Sequence, residues 1–164
     1  MAQIKGVTLK ALQTGIGHDR AGFQANVYFK NKKIGTVLDD GYGGCLDIYI
    51  EKEFREQFQT VCNEYKDISN EFSNIEENLM YALYELSSDE KHYKQASKKG
   101  YEAIAVFDYK PRDKDGNVDY SKPIPYPSEE IYSIPKINMI TDLVSQKKPI
   151  KHTIYKSLSD FILS

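Results

Sequence analysis

Two glycine-rich stretches hold the residue types closest to chemistry. In DDGYGG, the adjacent carboxylates of Asp39 and Asp40 precede Gly41, Gly43 and Gly44, and glycines let a ligand approach the backbone closely. A carboxylate pair of this kind can hold a cation, which makes Asp39, Asp40, Gly41 and Gly43 the candidate ligand-binding residues. Asp and Gly are equally what a tight turn demands, and the plain turn is the favoured reading. Earlier in the chain, TGIGHDRAG spaces Gly15, Gly17 and Gly22 unlike a dinucleotide fingerprint, and no P-loop occurs anywhere. A flexible hairpin loop is expected there.

Other constellations fall short of a site. Asp113, Asp115 and Asn117 alternate as in a calcium loop, but Gly116 follows only the second ligand and Lys122 stands where a closing Glu is required, so a hairpin turn is expected. His18, His92 and His152 form no metal-type pair, and no spacing joins Cys45 to Cys62, which read as reduced thiols. No nucleophile elbow singles out a serine or cysteine. The expectation is no metal, no cofactor and binding rather than catalysis.

The strongest pattern is helical. Between Cys45 and Lys99 there is neither Gly nor Pro, and Phe54, Phe58, Val61, Tyr65, Ile68, Phe72, Ile75 and Leu79 alternate steps of four and three, with Leu83 and Leu86 continuing after one slip. Capping boxes at Ser73–Glu76 and Ser87–Glu90 predict helices over 51–68, 71–86 and 88–99, closed by Gly100. The preceding fifty residues read as four antiparallel strands: 4–12, 23–29, 33–38 and 45–50, with Asn31-Lys32 and DDGYGG as connections. Beyond Gly100 a strand at 101–109 precedes a hairpin near Asp115-Gly116. Next come an extended connection bearing Pro123, Pro125, Pro127 and Pro135, and two short helices around Pro149. The expected fold is α+β: one domain with a four-stranded meander (1–50), an acidic helical segment packed on the sheet (51–99), and a C-terminal strand or hairpin with short helices (100–164).

Charge is uneven. Residues 51–90 hold eleven acidic and three basic groups in a chain whose net charge is only −2. Met80, Tyr81 and Tyr84 lie off the main stripe beside Glu76, Glu77 and Glu85, and Asp89 and Glu90 follow. Tyrosine supplies contact area at low entropic cost and carboxylates steer approach to a basic surface. Glu76, Glu77, Tyr81, Tyr84, Glu85, Asp89 and Glu90 are therefore the candidate partner-binding residues. The alternative reading is that Met80 and Tyr84 pack under the C-terminal segment. Lys30, Lys32 and Lys33 gather at one hairpin, as in some nucleic-acid-binding modules, yet the acidic balance argues against direct nucleic-acid binding. No run of about eighteen apolar residues and no secretory leader is present, so membrane insertion is not expected and a bacterial cytoplasm is. The bulky, irregular seam favours burial within a monomer over a simple coiled coil, leaving monomer or dimer.

The segments IKGVTLKALQTGIG (4–17) and KNKKIGTVLDDGYGGCLDIYI (30–50) resemble the N-terminal portion of small uncharacterised proteins carried by phages and mobile elements of low-GC Gram-positive bacteria. The resemblance brings no catalytic residues. What it implies is context: small acidic proteins of such elements often inhibit host defence nucleases, as anti-CRISPR proteins do, by occupying a basic nucleic-acid groove.

Overall fold

A computed structural model describes residues 1–66 and 74–164, in two compact units: residues 1–87 with 162–164, and residues 88–161. The fold is α+β, as expected. Ile68, Phe72, the Ser69-Asn70 boundary and the Ser73 cap lie outside the described residues.

The first unit is built on a six-stranded sheet. Its strands are β1 (Gln3–Ile4), β2 (Val7–Ile16), β3 (Gly22–Phe29), β4 (Lys32–Asp39) and β5 (Asp47–Ile50), joined by the parallel terminal strand β9 (Ile162–Leu163) beside β1. The anticipated first strand is two strands, because Lys5 and Gly6 take positive φ and turn the chain after Ile4. The β3–β4 connection is likewise Lys30-Asn31 rather than Asn31-Lys32. Both residues have positive φ, and that pairing of left-handed residues matches the twist of a two-residue hairpin. Alternation along β3 buries Phe23, Ala25 and Val27, while in β5 Asp47 and Tyr49 stay exposed.

Helix α1 (Arg55–Lys66) and the first part of α2 (Ile75–Lys98) supply the apolar stripe of this unit. Phe58, Val61, Tyr65, Leu79, Leu83 and Leu86 are buried, and each large side chain removed from water contributes about 1.5–3 kcal/mol. At the start of α2 the Asn74 side-chain oxygen accepts the amides of Glu76 and Glu77. The predicted break at Ser87 does not occur. Ser87 Oγ donates back to the Leu83 carbonyl at 2.7 Å and so serves the helix interior instead of starting a new one. The stop at Gly100 is as expected: its φ is 86°, the Tyr101 amide reaches the Ala96 carbonyl and the Gly100 amide that of Ser97.

The second unit has a three-stranded antiparallel sheet in the order β7 (Glu129–Ile134), β6 (Ala103–Asp108), β8 (Lys151–Tyr155). Ala103, Ala105, Phe107 and Ile134 form a core on one face, against which Ile140, Leu143 and Val144 of α3 (Ile140–Lys147) pack. The Asp115-Gly116 hairpin is present, with Arg112 bridging Val118 and the Asp113 carboxylate accepting the amides of Asp115 and Asn117. The proline-rich connection is extended, as expected, and its part between Pro127 and Pro135 forms β7, with both prolines outside it so that no ladder amide is missing. One expectation fails here. The second C-terminal helix is instead β8, followed by one 3-10 turn at Leu158–Phe161. Thr153, Ile154 and Tyr155 favour a strand, and pairing with β6 overrides the apolar 3/4 spacing.

Candidate interaction site

A meander places alternate turns at the same end of its sheet, so the β2–β3 loop and the β4–β5 loop meet. Glycine makes the meeting close. A Cβ on Gly17 would stand 2.1 Å from the Asp40 carbonyl oxygen, one on Gly22 2.1 Å from that of Asp39, and one on Gly41 2.7 Å from that of His18. The His18 amide donates to the Asp40 carbonyl at 2.9 Å across the seam. Two side-chain turns fix the second loop from within: Asp39 accepts the Gly41 amide at 2.8 Å and Asp40 the Tyr42 amide at 3.0 Å. The anticipated flexible loop is thus braced by backbone on both sides.

This two-loop tip presents an aromatic pair. The His18 and Tyr42 rings stack at 4.5 Å, and Tyr42 is 73% exposed. His18 Nε2 lies 3.2 Å from Asp19, and Asp19, Arg20 and Asp40 are all exposed around the stack. Cys45 is an exposed free thiol on the same loop as Tyr42.

Two of the partner-binding candidates, Tyr81 and Glu77, reach the β4–β5 loop from a separate part of the chain, and the rest do not. Tyr81 of α2 donates its hydroxyl to Asp39 at 3.1 Å, and the Glu77 carboxylate accepts the Leu46 amide at 2.9 Å, so α2 holds the β4–β5 loop from beneath. Burial and then the Asp39 carboxylate push the Tyr81 hydroxyl up to about 12. Half-buried Tyr84 stacks flat on buried Phe23 of β3 at 4.3 Å, so it packs on the sheet and not under the C-terminal segment, and Met80 is fully buried. Glu76 accepts a hydrogen bond from Gln59 of α1, and burial, followed by Glu76, pushes the Cys62 thiol up to about 12. Glu85 is exposed. Asp89 and Glu90 belong to the second unit and are buried there, Asp89 receiving the Tyr155 hydroxyl at 3.4 Å and Glu90 pairing with Lys94 at 2.8 Å.

Most of the acidic set therefore serves the interior, and the solvent-facing chemistry sits at the tip. Sequence reasoning overlooked His18, Asp19 and Tyr42. The legible signal was that two glycine loops of one meander must share an end. The Asp39 side chain is already engaged through both oxygens, and among the described residues no group of three or more His, Cys, Asp and Glu side chains stands where it could hold a metal ion. The arrangement offers a preorganised surface of ring faces and charge. Replacing Tyr81 by Phe should lower stability by about 1 kcal/mol in urea denaturation, with a matching coupling to Asp39→Ala in a double-mutant cycle. Zero coupling would mean that the bond does not form in solution. Comparison with protein families, curated proteins and solved structures finds no match to this chain.

Proposed function

We propose that the protein acts by binding another protein, without catalysis, as an inhibitor from a phage or mobile element. Its partner on this reading is a nucleic-acid-handling protein such as a CRISPR nuclease. The observation that carries the reading is the braced tip, where Tyr42 and His18 stand exposed on backbone that is already ordered. Preorganised aromatic side chains lose little entropy on binding and are the usual energetic centres of protein interfaces. Asp19 and Asp40 beside them, and exposed Asp47 at the start of β5, bring the negative charge that steers approach to a basic groove. On α1 and the turn before it, the exposed carboxylates of Glu53 and Glu64 pair with Lys32 and Lys5, contacts weak enough for a partner's cations to displace. The resemblance of the first fifty residues to phage and mobile-element proteins supplies the context.

The test is capture from host-cell lysate on the tagged protein, with washes at low and high salt. A nucleic-acid-handling protein held at low salt and released at high salt is expected. Tyr42→Ala and Asp19→Lys, both at exposed positions, should each weaken its binding about thirtyfold or more, the mark of a residue at the centre of an interface. Undiminished binding by both variants, or no captured protein at all, would overturn the reading.

A further inference from the structure

A different surface carries an independent inference. In the second unit every residue from 120 to 127 is exposed, and this short stretch, YSKPIPYP, holds three large apolar side chains: Tyr126 at 102% exposure, Tyr120 at 73% and Ile124 at 40%. Isolated exposed apolar residues are ordinary; three in one short loop are not.

The backbone of the loop is restricted by its own sequence. Pro123 and Pro125 have φ fixed by their rings, and Lys122 and Ile124, each preceding a proline, are held to extended conformations by the proline Cδ. Residues 122–125 are accordingly biased to polyproline II, a helix of three residues per turn with solvated backbone. That period sets Pro123 and Tyr126 on one side and leaves Lys122 at the N-terminal end. The start of the segment is anchored, since Asp119 accepts the Ser121 amide at 3.0 Å and its carbonyl that of Lys122 at 3.2 Å. The other end runs through Ser128, whose carbonyl accepts the Tyr109 amide at 2.8 Å, into β7. A stiff, apolar, outward-facing segment is thus clamped at both ends.

We propose that residues 120–127 are a recognition segment for a protein groove lined by aromatic side chains, with a carboxylate at the end that meets Lys122. Ring-lined grooves take proline ridges because the segment is already ordered, so little entropy is lost on docking. The Lys122 ammonium, 3.9 Å from Asp119 and largely exposed, supplies the charge that sets the direction of docking. The segment belongs to the second unit and the two-loop tip to the first, and the proposal does not depend on the tip.

The test uses the full chain with a photoreactive benzoylphenylalanine in place of Tyr126, irradiated in host-cell lysate. The expected product is a protein adduct whose cross-linked peptide carries neighbouring aromatic residues and an acidic residue. Its yield should fall about tenfold for Pro123→Ala/Pro125→Ala in the same background, corresponding to about 1.4 kcal/mol of lost preorganisation. Unchanged melting of that variant would show that the fold is intact. No adduct, an adduct with nucleic acid, or a yield indifferent to the two prolines would each overturn the proposal, whereas Tyr42→Ala should leave the yield as it is.

Discussion

Gly17→Ala should destabilise the protein by about 2–4 kcal/mol and release the His18 amide to exchange. Gly17 holds φ 70° and ψ −152°, a region open almost solely to glycine, and forcing alanine there costs about 1–3 kcal/mol. The added methyl would also stand 2.1 Å from the Asp40 carbonyl oxygen, the same atom that accepts the His18 amide, so the two loops must part and lose that bond. Gly43→Ala is the control. Gly43 has φ 78° with open space around its missing Cβ, and its substitution should cost only the backbone strain of about 1 kcal/mol. Urea denaturation with amide exchange at His18 separates the two. Equal losses in both variants would mean that the loops are not held together as the structure places them, and partner binding through Tyr42 would then lack its preorganised base.

Asp89→Asn should flatten the pH dependence of stability between about pH 4 and 7. Asp89 lies on α2 within the second unit, where burial first and the nearby Glu129 carboxylate second push its carboxyl up to about 7, against the Tyr155 hydroxyl bond, which favours the ionised form. The folded state therefore keeps a proton between the unfolded value of 3.8 and about 7 that the unfolded chain has released. Stability must fall as pH rises through that window, by up to about 1.4 kcal/mol per pH unit, and this contribution is flat above it. An amide of the same shape carries no charge to bury. The variant should thus exceed the wild type by up to about 4 kcal/mol at pH 8 and lose the slope, as read from chemical denaturation at a series of pH values. A wild-type profile no steeper than that of the variant would show that Asp89 is solvated in solution.

The apolar stripe was legible because a 3.6-residue period needs only local sequence, and Phe58, Val61, Tyr65, Leu79, Leu83 and Leu86 are buried as their spacing demands. The alternating strands β3 and β5 were legible for the same reason. Failures came where several local readings are equally good. Ser87-Ser-Asp-Glu90 satisfies the cap pattern, yet a serine hydroxyl can also bond backwards to Leu83, and α2 runs on through it. Ile154, Leu158, Phe161 and Ile162 satisfy a helical period, yet β6 offered Thr153, Ile154 and Tyr155 a ladder to complete. The candidate residues divided in the same way: Asp39 and Asp40 do build a turn, while Asp89 and Glu90, polar in sequence, are buried.

By itself, the sequence determined the α+β class, the meander, the apolar faces of α1 and α2, the Gly100 stop and the prolines that exclude a helix at 123–127. Each of these follows from forces acting within a few residues: dihedral restriction, side-chain periodicity and capping. Only the tertiary structure decided that β9 returns to lie parallel to β1, that the glycine loops around His18 and Tyr42 touch, and that Tyr81 reaches Asp39. Those contacts join residues 42 or more positions apart in two of the three cases and 22 in the other, counted from His18 to Asp40. No local preference encodes them, since their free energy appears only once the sheet has closed the intervening chain and removed the competing water.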